Sequence, residues 1–137
     1  MKKQIITACL IAMLSVPAHA EPNTQEIHEF CKITGNITYD AVRASLNGES
    51  RQTVQRKLEA SYINPLPNDP RIRELMRAQV KHSLDKAYDL YPYLRRLPRS
   101  EHTKTSVAVG RIEYQVCMEH FLKHDNSKHR SDSHPAR

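Results

Sequence analysis

Apolar and polar positions recur in four stretches of the chain at the three- and four-residue steps that place them on opposite faces of a helix. Over Thr24–Leu46 the residues Ile27, Phe30, Cys31, Thr34, Ile37, Ala41 and Ala44 share one face. Gly35 and the β-branched Ile37-Thr38 weaken the middle of that helix. Asn47-Gly48 ends it, because glycine tolerates a left-handed backbone. Ser50 is placed to cap a second helix, with Val54 and Leu58 inward, which fades near Ser61. Pro65, Pro67 and Pro70 then forbid regular structure and predict an ordered or extended connection. A third helix opens with Asp69 as N-cap and Pro70 as its first residue. Ile72, Leu75, Met76, Gln79, Val80, Leu84, Ala87, Tyr88 and Tyr91 trace its inward stripe. It is predicted to stop before Pro92, since the residue preceding a proline is driven out of helical geometry.

A connection over Tyr91–Pro98 leads to a fourth helix, with Ser100 as its predicted cap and Glu101 in its first turn. Val107, Gly110, Arg111, Tyr114, Cys117, Met118 and Phe121 form the expected inward stripe. Gly110 permits close approach of a neighbouring backbone, and Arg111 snorkels at the edge. From Lys123 onward no apolar residue recurs, so the His-, Ser- and Lys-rich stretch 123–137 is expected to be a disordered tail.

The start of the chain reads differently. Lys2 and Lys3 precede a short apolar run, Ile5–Val16, and Pro17-Ala18-His19-Ala20 ends in an A-x-A-like cleavage site. This pattern predicts a leader, residues 1–20, cleaved after Ala20. The run is too short to span a membrane, and no other stretch approaches about 18 apolar residues. The chain is therefore expected in the periplasm, or secreted beyond it, with no transmembrane anchor after cleavage. Ile6-Thr7-Ala8-Cys9 resembles a lipoprotein cleavage box, but the residues before it cannot hold both a charged and an apolar region.

Cys9 leaves with the leader, so Cys31 and Cys117 are expected to pair in an oxidising compartment. They lie too far apart in sequence for a redox-active C-x-x-C pair. A disulfide requires Cα atoms within about 7 Å, so the bridge sets the first and last helices side by side. The expected fold is all-α, a small disulfide-clamped bundle of about four helices over residues 21–122.

Composition narrows the function classes. The chain carries 21 Lys and Arg against 15 Asp and Glu, a formal charge of +6. Loss of Lys2 and Lys3 leaves about +4, short of the density of a dedicated nucleic-acid binder. Three glycines and no tryptophan argue against a turn-rich β-sandwich.

Phe30-Cys31, Ala41-Val42-Arg43, Gly48, Ala87-Tyr88 and Cys117 follow a plan shared by many small exported two-cysteine helical proteins of proteobacteria, which the chain resembles from Phe30 to Cys117. The resemblance implies a helical fold and an exported location, and it implies no activity.

Candidate chemistry lies in two places. Tyr91, Tyr93, Arg95, Arg96, Arg99 and Lys104 combine phenols with cations over a short span. Guanidinium forks fit carboxylates and phosphates, so this segment is a candidate surface for an acidic envelope or periplasmic protein or for an anionic headgroup. The alternative is that Tyr91 and Leu94 pack inward and the arginines are merely solvated. His120 and His124, four residues apart, can face one way and bind a metal weakly, with His129 and His134 in the tail as further ligands. Arg73, Arg77 and Lys81 repeat on one face of the third helix, and His82–Asp85 and Glu113–Glu119 are pairs of the kind that polar helix faces produce by chance. No nucleophile elbow, phosphate loop or free cysteine nucleophile is present. Asn36-Ile37-Thr38 is a glycosylation sequon that a bacterial leader makes irrelevant. No cofactor is implied. The expectation is a non-enzymatic binding protein of the periplasm, with anion binding at the envelope surface or weak metal handling as the alternative.

Overall fold

The computed structural model describes the backbone of residues 23–131 and the side chains of residues 23–124. The predicted leader and residues 132–137 lie outside the described residues. Within them the fold is all-α, with four helices: α1 (Thr24–Leu46), α2 (Arg51–Tyr62), α3 (Pro70–Leu94) and α4 (His102–Ser131). No helix among the described residues is long and apolar enough to cross a membrane.

Local chemistry sets most helix ends. Asn23 and Glu26 form a capping box at the start of α1, the Asn23 side chain accepting the Glu26 N–H at 2.9 Å and the Glu26 carboxylate accepting the Asn23 N–H at 3.0 Å. Gly48 sits at φ +83°, and the Glu49 N–H reaches back to the Ala44 carbonyl at 3.1 Å, closing α1 as its Asn-Gly stop predicts. The Ser50 hydroxyl caps α2 by accepting the Thr53 N–H. Asp69 caps α3, and the Arg71 N–H donating to its carboxylate holds that carboxyl below the usual range. The proline connection between α2 and α3 is ordered. Leu66 plugs the core, and the Arg73 guanidinium donates to the Leu66 and Pro67 carbonyls at 3.1 and 3.2 Å.

Three predicted boundaries move. Helix α3 does not stop before Pro92 but runs through it to Leu94. In the last turn a proline forfeits only one ladder bond, that to the Tyr88 carbonyl, and the chain beyond re-forms with the Arg95 N–H on the Tyr91 carbonyl at 3.0 Å. Ser100 does not cap α4; it lies inside a short 3₁₀ turn, Arg99–Glu101, that begins after Pro98, and α4 opens at His102. At the other end α4 continues through Lys123 to Ser131, past the predicted start of the tail.

Helix α1 is the centre of the molecule. It is buried on more of its circumference than the predicted stripe allows, since Ile33, Gly35, Thr38, Val42 and Ser45 join Cys31, Thr34, Ile37 and Ala41 inside. It packs against α2, α3 and α4. The aliphatic core lies between α1, α2 and α3, with Ile37, Val42, Val54, Leu58, Ile72, Met76, Val80 and Leu84 at its heart. Thr38 and Ser83 share a buried hydrogen bond of 2.9 Å across it. Leu75, assigned inward by its spacing, is 53% exposed.

Helix α4 joins this core from outside, and by other means. The Cys31–Cys117 disulfide forms as predicted, with Cα atoms 5.5 Å apart. Gly35 and Gly110 meet where α1 and α4 cross, and a Cβ built on either would stand 2.8 Å from the carbonyl oxygen of the other. Phe30 meets Phe121 edge to face at 6.0 Å between ring centres, and His28 Nδ1 lies 2.6 Å from the Tyr114 hydroxyl. Gly110 is buried as predicted, and Tyr114, Cys117, Met118 and Phe121 are half-buried; Ser106 and Glu113 join the inward face of α4, whereas Val107 is exposed and Arg111 lies at its exposed edge.

Candidate functional site

The basic segment between α3 and α4 is built by two prolines. Pro92 is held in the last turn of α3, and Pro98 ends the connection and starts the 3₁₀ turn. Leu94 packs against the core and Tyr91 is half-buried, which anchors the segment. The Leu97 N–H on the Leu94 carbonyl (3.1 Å) and the Glu101 N–H on the Pro98 carbonyl (2.9 Å) hold its path. His102 Nε2 contacts the Leu97 carbonyl at 3.0 Å.

On that anchored backbone Tyr93 is 70% exposed, and Arg95, Arg96, Arg99 and Lys104 all reach solvent. Arg95 lies 5.9 Å from the centre of the Tyr91 ring, a cation–π pairing that fixes one guanidinium. None of the four cations makes an ion pair among the described residues. Inward packing of Tyr91 and Leu94 therefore coexists with a free cationic surface. Arg95 and Arg96 follow the C-terminus of α3, where the helix dipole favours cations. Arg99 and Lys104 flank the start of α4, where it disfavours them; Glu101, predicted in the first turn of α4, lies in the 3₁₀ turn just before it. The helix dipole accounts for the placement of the first two and not of the second two.

A groove of about 350 Å³ opens along the crossing of α1 and α4. The two glycines form its floor, because the absence of side chains there brings the helices close and leaves a trough beside the contact. Lys32, Asn36, Tyr39, Val107, Arg111 and Tyr114 line it. The Tyr39 hydroxyl accepts a hydrogen bond from the Arg43 guanidinium, so a third cation stands at its margin. No carboxylate among the described residues lines the groove. Spacing conceals it: it places Val107 inward and Arg111 at the edge of the inward stripe, whereas both line the groove wall.

His120 and His124 do come together on one side of α4, with ring centres 4.6 Å apart, and both are exposed. No group of three or more metal-ligating side chains forms among the described residues. His129 and His134 lie outside the residues whose side chains are described.

Two polar clusters correct the pairings that spacing offered. Asp85 does not serve His82; it takes Arg51 of α2 and Lys81 of its own helix, and those donors, Arg51 first, hold its carboxyl below the usual range. His82 instead reaches Glu113 of α4 at 3.2 Å, and Lys86 makes an ion pair with the same carboxylate, which is 4% exposed. Glu119 pairs loosely with Lys123 and takes no part. Glu113 stands four residues before Cys117, a spacing that points to the same face, and Lys86 supplies the partner that allows its charge to be buried. In the third-helix basic stripe, Arg73 is committed to the Leu66 and Pro67 carbonyls and Lys81 to Asp85, while Arg77 is exposed.

Comparison with protein-family models, with curated proteins and with solved structures finds no match to this chain.

Proposed function

We propose that the protein is a non-enzymatic interaction protein of the bacterial periplasm that docks on an acidic surface of another envelope protein. The observation that carries this reading is the segment Tyr93–Lys104. Arg95, Arg96, Arg99 and Lys104 stand exposed, without ion pairs among the described residues, beside an exposed Tyr93 on a backbone held at both ends by packing and hydrogen bonds. Solvent-exposed arginine and tyrosine on a rigid support are the residue types that anchor protein interfaces. The disulfide and the leader-like start of the chain support an oxidising, exported location.

The test compares capture from an envelope extract by the wild-type protein and by the triple variant Arg95→Gln, Arg96→Gln, Arg99→Gln, followed by identification of the bound species. An acidic protein retained by the wild type, released by moderate salt and lost by the triple variant is the expected result. Equal retention by both proteins, or retention that salt does not weaken, would sink the reading.

A further inference from the structure

We infer that the docking surface extends beyond the basic segment into the groove between α1 and α4, and that its occupant is an extended acidic segment of the partner polypeptide. The inference rests on the proposed binding function and adds the class of ligand and the path it follows.

Continuity comes from the register of the two helices. Cys31 is bridged to Cys117, and Gly35 and Tyr39 both meet Gly110, so α1 and α4 run antiparallel. On α4, Lys104, Val107 and Arg111 follow at steps of three and four and share a face; the last two line the groove. Lys104 thus continues the groove wall toward Arg99 and the basic segment. On α1, Lys32, Asn36 and Tyr39 form the facing wall, and Arg43, next at the same spacing, stands at its margin. Lys104 to Arg111 spans about 10 Å at 1.5 Å per residue, and the basic segment lengthens the path to roughly 20–25 Å. An extended chain covers that in about seven residues.

Chemistry selects the occupant. The walls present cations, Lys32 and Arg111 with Arg43 at the margin, and no lining carboxylate among the described residues opposes them. Between the cations stand the Tyr39 and Tyr114 rings, the Asn36 amide and Val107. Phenol, amide and aliphatic groups interleaved with single cations suit a polypeptide with acidic and aromatic side chains. A nucleic-acid backbone calls for a denser row of cations than one every turn. An anionic membrane calls for cations on a projecting face, whereas these line a trough.

The test uses a fluorescein-labelled peptide of alternating glutamate and tyrosine, about ten residues long to overhang the path. Its binding to the disulfide-bonded protein is followed by fluorescence anisotropy. Two groove variants, Val107→Glu and the double variant Lys32→Gln, Arg111→Gln, change exposed side chains and leave the glycine crossing intact. Circular dichroism confirms their fold. Both are expected to weaken peptide binding about tenfold or more, and the basic-segment triple variant to weaken it comparably. Groove variants that bind like wild type while the triple variant binds poorly would overturn the groove inference and leave the proposed function standing. Absence of peptide binding by the wild type would overturn the inference at any groove result. Tighter binding of a single-stranded oligonucleotide or of phosphatidylglycerol vesicles than of the peptide, at equal ionic strength, would also overturn it.

Discussion

A methyl group at Gly35 would stand 2.8 Å from the Gly110 carbonyl oxygen and 3.3 Å from the Tyr114 Cβ. The first contact is with backbone and cannot be relieved by a rotamer change, so α1 and α4 must separate. Alanine has the better helix propensity by about 1 kcal/mol, while forced overpacking costs about 1–3 kcal/mol. Because the clash meets backbone on the buried side of a disulfide-tethered pair, overpacking wins. Gly35→Ala and Gly110→Ala are each expected to lower the stability of the oxidised protein by about 1–2 kcal/mol, read from urea unfolding midpoints. The double variant is expected to cost less than the sum, since one separation of the helices relieves both contacts. Unchanged midpoints in both single variants would show that the helices do not cross at these glycines. The same substitutions widen the groove floor, which ties two residues with no side chains to the proposed docking path.

At the scale of elements, α3 and α4 are linked through charge where α1 and α3 are linked through aliphatic packing. Glu113 is buried on α4, and Lys86 and His82 reach it from α3. Removing one partner of a buried ion pair leaves a desolvated charge and typically costs about 3–5 kcal/mol. Lys86 retains 32% of its side-chain exposure and His82 retains 56%, so water compensates in part. Lys86→Ala is expected to cost about 2–3 kcal/mol. The double variant Lys86→Met, Glu113→Leu is expected to restore most of that loss, because no charge is left buried. Denaturant unfolding of the two variants checks this, and equal losses in both would show that the pair itself, and not its unpaired remnant, is what matters. This bridge also marks where sequence reasoning reaches its limit. Helix α1 was legible from Thr24 to Leu46 because its pattern and its Asn-Gly stop agree, and the start of α3 because Asp-Pro is a strong opening signal. The end of α3 was not, since Pro92 falls late enough in the helix to lose little. The buried face of α4 was legible at Gly110 but not at Ser106 and the paired Glu113, where hydrophobicity points away from burial. The cations of the basic segment could be named from sequence alone. The groove could not, as it depends on the separation of two helices that glycines set.

The molecule as a whole is two unequal parts joined through α1. One is the aliphatic core shared by α1, α2 and α3, to which α4 adds only the half-buried Val109. The other is the seam between α1 and α4, made of a disulfide, a glycine contact and ring pairs, with the ion-paired bridge from α3 to Glu113 beside it. The disulfide spans a sequence separation of 86, for which the chain-entropy model gives about 4–5 kcal/mol. That is comparable to the whole stability of a marginal domain, and it acts where apolar burial is thinnest. Reduction is therefore expected to release α4 as a unit before the core opens. In the Cys31→Ser, Cys117→Ser variant, amide hydrogen exchange over 103–124 should accelerate markedly, while α2 and the middle of α3 keep most of their protection. Because the groove exists only while α4 lies against α1, the same variant should lose the groove's share of peptide binding and keep that of the segment following α3. Uniform loss of protection across all four helices would instead mean that the chain folds as one cooperative body and that the clamp stabilises the core directly. Retained protection in α4 would mean that the glycine crossing and Glu113 hold the helix unaided. On the proposed reading, location and docking path meet at one bond, since an oxidising compartment would keep the Cys31–Cys117 clamp closed.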